Sequence, residues 1–246
     1  MRTSNKILIV AFGILAFSLV FYDMQLRALY RTGEYKKPFW NFVKLDYAGF
    51  NSVELNSATA VNILLVKGPF KVMVDPTATD FIKIRLDGKK LVITAEFENH
   101  FRSLASDYAV FISCPDLSLF SANAYYTVGS NKVTDTTALN LSWRPTVISG
   151  FTNDSLTITQ SNASNVLIKN CRINTLRAIV GISNNSGSDL TIGTDNFFKQ
   201  TDFDIRNKGT LVLKNPVGVT PNYHLADSAQ VIVNSASQHI LKLKQP

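Results

Sequence analysis

The sequence predicts an all-β fold: a two-sheet parallel β-helix, or β-solenoid, with an N-terminal β-strand cap and an N-terminal transmembrane or signal-anchor helix. Short apolar-x-apolar triplets recur through the second half of the chain, in two interleaved series. Turn-forming residues separate the triplets, and an uncharged apolar run lies near the N-terminus. Each series advances by about 19 residues per step, and repeats near this length that bury too little surface to stand alone are typical of stacked β-helical coils.

The first and third side chains of a triplet share one face of a strand, because successive Cβ atoms alternate sides. Each turn of the solenoid, between Leu117 and Leu243, would therefore hold two strands that enclose a thin core. The first series is Leu117/Leu119, Leu139/Leu141, Leu156/Ile158, Leu176/Ala178, Leu190/Ile192, Leu211/Leu213 and Val231/Val233. The second is Val128, Val147, Val166/Ile168, Ile182, Phe203/Ile205, Tyr223/Leu225 and Ile240. We expect burial of Leu139, Leu141, Leu156, Ile158, Val166, Ile168, Leu190, Ile192, Leu211, Leu213, Val231 and Val233.

The corners between triplets are rich in Asn, Ser, Asp and Gly, as in "QSNASN" at 160–165 and "NNSGSD" at 184–189. These residues tolerate left-handed backbone conformations or hydrogen-bond their own backbone, which suits a tight turn. An antiparallel β-sandwich also has short strands with frequent turns, so it stays the alternative fold. The doubled period favours the solenoid.

The N-terminus has the pattern of a membrane segment. Residues 1–6 are basic, and the uncharged run Ile7–Tyr22 begins a predicted anchor helix over residues 7–30. A connector follows at 31–45. A cleaved signal peptide with small residues at 16–18 is the main alternative, and a buried core helix is a weaker one. The apolar run continues through Leu19–Tyr22, which a mature N-terminus would not need, so we favour the uncleaved signal anchor.

Residues 46–115 show plain β alternation, and "LDGKKL" at 86–91 carries the Asp-Gly of a tight hairpin. We expect this region to cap one end of the solenoid, which is assigned to residues 116–246. Together, residues 46–246 would form one head domain.

Charge and cysteine content narrow the class of protein. The formal net charge is +7, but residues 1–44 contribute +5 of it, which leaves the rest of the chain nearly neutral. Nucleic-acid binding needs clustered Lys and Arg, so we expect no nucleic-acid partner. Basic residues beside an apolar segment suit a membrane surface. Cys114 and Cys171 are too few for a disulfide framework and are expected to pack as small apolar residues, with a single disulfide left open.

Motifs for catalysis, cofactors and metals are missing from the sequence. His100, His224 and His239 lack metal-binding spacing, and no nucleophile elbow, P-loop or dinucleotide fingerprint occurs. Asp202 and Asp204 form the nearest approach to a carboxylate pair, but both are expected to face water. A lyase-like set of Arg172, Arg177, Arg206, Asp189 and Asp195 could be assembled on any solvated solenoid face. We therefore expect no enzyme, no cofactor and no metal.

Exposed aromatic rings are the candidate ligand contacts, because flat rings stack on sugars or anchor protein partners. In each adjacent pair, one ring should point outward. The candidates are Tyr125, Tyr126, Trp143, Phe197 and Phe198. For Trp143, filling a corner before Pro145 is the competing interpretation.

Three stretches carry a family resemblance: 47–74 ("YAGFNSVELNSATAVNILLVKGPFKVMV"), 81–97 ("FIKIRLDGKKLVITAEF") and 108–122 ("YAVFISCPDLSLFSA"). Preceded by an apolar segment and followed by Asn/Ser/Gly-rich β repeats, they resemble the auto-transporter adhesin head, or GIN-domain, family of bacterial envelope proteins. The resemblance covers about residues 46–240. It implies a two-sheet β-superhelix without recognised catalytic residues and a role in adhesion. The chain departs from the family's repeated Gly-Ser-Gly corners, with only "SGS" at 186–188 coming close.

The sequence therefore predicts a bacterial cell-envelope protein whose membrane-anchored head lies outside the cytoplasm, in the periplasm or at the cell surface. The leading function is a non-catalytic adhesion or surface-interaction module that contacts a glycan or an envelope protein. A polysaccharide-degrading β-helix enzyme and an envelope scaffold or sensing component are the alternatives.

Overall fold

The computed structural model describes residues 3–33, 36–102, 107–137, 145–214, 217–218 and 222–234. The chain divides into two compact units, Met1–Phe42 and Val43–Pro246. The predicted positions Leu139, Leu141, Trp143, His239 and Ile240 lie outside the described residues.

The first unit contains one long helix, α1, at Thr3–Thr32. Its 30 residues give a length of roughly 45 Å, more than the hydrocarbon core of a bilayer. In the described part of the chain, Asn5–Thr32 is the one helix long and apolar enough to cross a membrane, and its apolar window is wholly exposed. A signal sequence near an N-terminus meets the same criteria.

The second unit is built from two β-sheets, which we call sheet one and sheet two. Among the described residues, sheet one contains nine strands. In spatial order these are β1 Val43–Leu45, β4 Lys71–Val74, β7 Val110–Cys114, β3 Ile63–Lys67, β11 Thr146–Ser149, β13 Asn165–Lys169, β15 Asp189–Ile192, β17 Thr210–Leu213 and β20 Gln230–Val233.

Sheet two has eleven strands among the described residues. Its main path runs through β10 Asn131–Thr134, β9 Tyr125–Val128, β6 Lys90–Phe97, β2 Ser52–Leu55, β8 Leu119–Ala122, β12 Thr152–Gln160, β14 Arg172–Val180, β16 Phe197–Ile205 and β18 Val217–Gly218. Beside this path, β19 Asn222–Leu225 pairs with β16, and β5 Ile82–Asp87 pairs with β6.

Both sheets are mixed. Strands after residue 145 pair in parallel, whereas β1 with β4, β4 with β7, β5 with β6, and β9 with β10 are antiparallel. The β5–β6 pair is the hairpin that the Asp-Gly sequence predicts, with Asp87 opposite Lys90. The fold is therefore mostly β with an N-terminal helix, as predicted, but these two mixed sheets do not form a closed solenoid.

The register of the parallel strands rules out a hairpin between β12 and β13. Leu156 lies opposite Leu176 in sheet two, while Val166 lies opposite Leu190 in sheet one. From β11 to β18 consecutive strands thus alternate between the sheets, and β11 to β16 each pair with the strand two positions later, whereas β17 pairs with β20. A single cluster of buried side chains draws on both sheets, so their inner faces enclose one core.

Most of the predicted core positions are buried. Leu156, Ile158, Val166, Ile168, Leu190, Ile192, Leu211 and Leu213 are each at most 1 % exposed. Val231 and Val233 are only partly buried, because β20 is the last described strand of sheet one. Cys114 and Cys171 are buried free thiols, as expected for small apolar residues. Burial raises the pKa of Cys114 to about 12 and also raises that of Cys171, so neither thiol is a ready nucleophile.

The predicted assignment of triplets to two series is wrong at Leu119, at Val128 and after residue 178. Leu119 is half-buried opposite Thr157, so Phe120 and not Leu119 faces the core, and Val128 lies in sheet two although Val147 and Val166 of its series lie in sheet one. Leu176 stacks on Thr201 in sheet two, whereas Leu190 stacks on Val166 in sheet one. The repeat is not constant, because the step from Val166 to its partner Leu190 is longer than the step from Thr146 to Val166. Ile182 falls in the longer corner and is 43 % exposed, and Leu225 is 42 % exposed. A series of triplets drawn with a constant step therefore begins in one sheet and ends in the other.

Buried hydroxyl groups fill the longer corner. Ser186 and Ser188 each donate a hydrogen bond of 2.6 Å to the carbonyl oxygen of Asn162, one turn earlier. Ser164 also reaches Ser188, at 3.2 Å. The additional residues are thus held by the preceding corner, which satisfies polar groups that burial would otherwise leave unpaired.

Candidate functional site

A shallow groove of about 330 Å³ lies where β12, β14 and β16 begin. We call it the Phe197 groove. It is lined by Thr152, Asn153, Asp154, Arg172, Ile173, Asn174 and Phe197.

One wall of the groove follows from the strand register. Thr152 lies opposite Arg172, and Arg172 lies opposite Phe197, so the three residues form one row across adjacent strands about 4.8 Å apart. Arg172 and Phe197 are exposed, whereas the next residues along their strands, Ile173 and Phe198, are buried. The row therefore faces away from the core.

The opposite wall comes from a break in the alternation of the strands. In β14, Ile173 and Leu176 are both buried, and two half-buried residues separate them instead of one. Asn174 lies in this break beside Asp154 of β12, and its amide donates a hydrogen bond of 2.8 Å to the Asp154 carboxylate. β16 repeats the pattern, with Phe198 and Thr201 buried on either side of Lys199 and Gln200. The row of Thr152, Arg172 and Phe197 and the polar pair of Asp154 and Asn174 thus lie on either side of the buried Ile173.

Further hydrogen bonds tie the groove to the sheet around it. The Asn153 amide donates to the Leu117 carbonyl at 2.6 Å, which fixes it on the groove floor. The Lys67 ammonium donates to the Thr152 carbonyl at 3.3 Å, so a second cation stands beside the Arg172 row. Within the described residues, no carboxylate forms an ion pair with Arg172.

The structure separates the aromatic residues that the sequence selects. Phe197 is 42 % exposed at the groove, and its neighbour Phe198 is 3 % exposed in the core. This is the inside-outside division predicted for adjacent rings, and it removes Phe198 as a ligand contact. Trp143 lies outside the described residues.

Tyr125 and Tyr126 are remote from the groove, because β9 stands six strand positions from β16 in sheet two. Lys132 covers the Tyr125 ring, with its ammonium 3.9 Å from the ring centroid. Tyr126 packs against Phe97 and Phe101, at centroid distances of 5.8 and 5.5 Å. Burial raises the pKa of both phenols. Neither ring is as open as Phe197.

The carboxylates considered for catalysis are engaged by arginines. Asp202 lies 3.3 Å from Arg177, and Arg206 binds the Asp204 carboxylate. Asp202 is solvent-accessible, as predicted, whereas the Asp204 side chain is 25 % exposed and its Oδ1 is buried with no hydrogen-bond partner among the described residues. Asp204 stands opposite His224 across β16 and β19. In the described portion of the chain, no group of three or more His, Cys, Asp or Glu side chains could hold a metal ion.

A second cavity of about 480 Å³ lies near β5 and β6, remote from the groove. It is lined by Asp80, Phe81, Glu96, Glu98, Asn99, His100 and Arg102. Arg102 hydrogen-bonds Asp80 and lowers the pKa of that carboxyl. The rings of Phe81 and Phe97 stack with their centroids 4.7 Å apart, and Phe97 in turn packs against Tyr126. Nothing in the sequence indicated this cavity, because its members come from separate elements.

The sequence pattern indicates Phe197 and Arg172 separately. It does not predict that Asn153, Asp154 and Asn174 line the same groove. A usable signal was present. The segments "TNDSL" at 152–156 and "RINTL" at 172–176 each end on a buried leucine, and aligning them on that residue juxtaposes the groove positions of β12 and β14.

Comparisons with known proteins identify a shared fold. No family model matches the chain, and no curated protein matches it. A crystal structure of a "putative adhesin" from Parabacteroides distasonis ATCC 8503 is similar over 78 % of this chain and 71 % of its own, with a TM-score of 0.54 and 14 % sequence identity.

Two further crystal structures match more loosely. One is a "putative adhesin" from Bacteroides fragilis NCTC 9343, at a TM-score of 0.41 and 13 % identity, covering 78 % of this chain and 97 % of that one. The other is a "putative lipid binding protein" from Parabacteroides distasonis ATCC 8503, at a TM-score of 0.39 and 11 % identity, covering 78 % and 93 %. At 14 % identity the likeness to the first of these proteins is one of fold.

Proposed function

We propose that this chain is a non-catalytic, membrane-anchored module of the bacterial cell envelope that binds a surface glycan in the Phe197 groove. The observation that carries the proposal is an aromatic ring, 42 % exposed, at the edge of a groove lined by carboxamide, carboxylate and guanidinium groups. Sugars present apolar ring faces and hydroxyl edges, so an aromatic platform beside hydrogen-bonding groups fits both.

The proposal includes the finer architecture. We regard residues 116–246 as an open β-solenoid of two-strand turns, residues 46–115 as its cap, and residues 46–246 as one GIN-like head. The parallel registers of β11 to β20 support the solenoid, and the position of β2 to β7 toward one end of each sheet supports the cap. Strands β9 and β10 fall within residues 116–246 but also lie at the cap end, next to β6. The shared fold with a "putative adhesin" supports a role in surface interaction. Helix α1, long and apolar enough to span a bilayer, supports an anchored head outside the cytoplasm.

The enzymatic alternative predicts a different dependence on residues. A polysaccharide-degrading site would use the Asp202 and Asp204 pair, yet each of these carboxylates is held by an arginine. Replacing either by Asn should leave glycan binding within about twofold of the wild type, because exposed ion pairs contribute little. Depolymerisation of an acidic polysaccharide that disappears in Asp202→Asn would instead favour the enzyme.

The test is glycan binding by the full chain reconstituted in nanodiscs, on an array of bacterial and host oligosaccharides. Phe197→Ala should weaken binding about tenfold, since ring stacking contributes roughly 1 kcal/mol or more beyond buried area. The matched control is Phe101→Ala, because Phe101 is 44 % exposed and lies in the aromatic cluster remote from the groove. Equal losses in the two variants, or no binding to any glycan, would contradict the proposal.

A further inference from the structure

We infer that the Phe197 groove selects sugars that carry a carboxylate, and that Arg172 is the residue that reads this charge. The inference rests on the proposed glycan-binding function and specifies its ligand class. Arg172 lies in the groove lining, on the exposed face of β14, between Thr152 and Phe197 in the strand register.

The guanidinium of Arg172 is suited to bind a carboxylate. A guanidinium presents two parallel N–H donors that match a carboxylate, and such charge-assisted pairs are about twice as strong as neutral hydrogen bonds. Arginines elsewhere in sheet two already bind carboxylates: Arg177 with Asp202, Arg206 with Asp204, and Arg85 with Asp87 at 3.5 Å. Among the described residues, Arg172 has no such partner. Its donors therefore remain available to a ligand.

Two further charged residues, Asp154 and Lys67, lie in or beside the groove. Asp154 is the carboxylate of the lining, and it accepts the hydrogen bond from Asn174 on the far wall, away from the Arg172 row. Lys67 places a second positive charge beside Thr152, the residue registered with Arg172. An anionic group beside Phe197 would thus meet Arg172 on the next strand, and Lys67 adds a positive charge at the Thr152 end of the same row. A second carboxylate on the far wall would be repelled by Asp154.

Arg172 and Phe197 lie close enough together for one sugar residue to contact both. Arg172 and Phe197 occupy registered positions on neighbouring strands, about 4.8 Å apart along the sheet. A pyranose ring stacked on Phe197 would therefore place a carboxylate on its rim over Arg172. The Asn174 and Asn153 amides, on the far wall and floor, are suited to the ring hydroxyls. This arrangement fits a uronic-acid residue within a chain better than a neutral sugar.

The experiment uses two probes with the same sugar backbone: a negatively charged oligogalacturonate and its uncharged, fully methyl-esterified form. Binding to the full chain in nanodiscs is measured by calorimetry at two salt concentrations. The wild type should bind the acid about tenfold more tightly than the ester. The difference should shrink at high salt, because the groove is open to solvent and the charge interaction is screened.

Three variants separate the contributions. Arg172→Gln should abolish the preference for the acid and leave the affinity for the ester within about twofold. Phe197→Ala should weaken both probes. Arg85→Gln is the matched control, because it removes an exposed arginine of sheet two outside the groove and should leave the preference intact.

The outcomes distinguish the inference from the function on which it rests. Equal binding of acid and ester that still depends on Phe197 would overturn the role of charge and keep the glycan-binding function. A preference for the acid that survives in Arg172→Gln would overturn the role of Arg172. A sulfated dextran oligosaccharide that binds more tightly than the oligogalacturonate would overturn the choice of carboxylate as the anion. Binding to none of the probes would overturn the inferred ligand class, and the glycan array would then decide the proposed function separately.

Discussion

Asparagine at the corners is the clearest case in which single residues determine local structure. Asn162, Asn170, Asn185 and Asn207 all have φ between 50° and 59°, in the left-handed region. Asparagine tolerates this region better than most residues, because its short side chain hydrogen-bonds locally. The Asn207 amide also reaches the preceding turn, where it donates to the Gly181 carbonyl at 2.6 Å. The corner composition thus predicted the turns correctly, although it could not give their lengths.

Gly181 illustrates a stricter requirement at the same corners. Its φ is +81°, and a Cβ added there would overlap the carbonyl oxygen of Arg206. We expect Gly181→Ala to destabilise the protein more than Gly150→Ala, whose φ of +80° is nearly the same but whose Cβ would meet nothing within 4 Å. Left-handed strain costs about 1–2 kcal/mol in both, and the backbone overlap adds roughly 1–3 kcal/mol for Gly181. Urea unfolding measures both. Equal losses would mean that the backbone relaxes without cost.

Asp189 gives a prediction for pH. Burial raises the pKa of this carboxyl, and the Thr210 hydroxyl opposes the shift less strongly. The folded state therefore binds the proton more tightly than the unfolded chain, so the charged form weakens the fold above the raised pKa. Asp189→Asn should raise the Tm at pH 7–8 by roughly 1–3 °C. The gain should vanish below about pH 4, where the carboxyl is protonated in both states.

Thermal unfolding of the wild type, Asp189→Asn and Asp227→Asn across this pH range provides the measurement. Asp227 is exposed and serves as the control for the loss of a negative charge. A gain that stays constant down to low pH would show that the effect of Asp189→Asn does not come from ionisation.

At the scale of the strands, the sequence was informative about the type of element and the inner face. Leu156/Ile158 and Val166/Ile168 are buried as the alternation predicts. The pairing of the strands after residue 178 could not be predicted from the sequence, because the step from β13 to β15 is longer than the step from β11 to β13. Insertions at a corner leave the period-2 pattern of each strand intact, so they cannot be detected from the pattern of a single strand. The groove was missed for a related reason, since its walls depend on register.

Strand β14 allows the inner and outer faces to be compared within one element. Leu176 is fully buried, whereas Ile179 on the other face is half-buried. We expect Leu176→Ala to cost about 2–5 kcal/mol of the free energy of unfolding, because it leaves a cavity in the shared core. Ile179→Ala should cost about 1 kcal/mol. Chemical denaturation measures the free energy of unfolding of both variants. A larger loss of stability for Ile179→Ala would mean that the face of β14 that carries Ile179, and not the face that carries Leu176, packs against the core.

At the scale of the whole chain, the prediction concerns the anchor. We expect α1 to stay attached, so that the protein sediments with membranes and keeps its original N-terminus. Leu15→Arg should release much of it, because an arginine at the centre of a membrane helix costs about 2.5–3.5 kcal/mol on insertion scales. Fractionation and N-terminal sequencing decide the matter. A soluble protein that begins at Leu19 would show that the segment is a cleaved signal.

The side of the membrane is a separate observation on the same cells. Protease added to spheroplasts should digest the head if it lies outside the cytoplasm, and a cytoplasmic marker enzyme should survive. A head that resists the protease until the cells are lysed would contradict the proposed orientation.

The strand order also constrains how the head acquires its fold in time. β2 and β3 lie in the middle of their sheets, where Val53 is opposite Phe120 and Leu65 is opposite Ile148. Partners so distant in sequence make folding slow, because the intervening chain must be closed into a loop before the contacts form. A chain that emerges N-terminus first therefore holds β3 with one edge unpaired until β11 has followed it. During that interval the open edge is exposed to other chains, so the time between synthesis of β3 and β11 is when the protein most needs protection from aggregation.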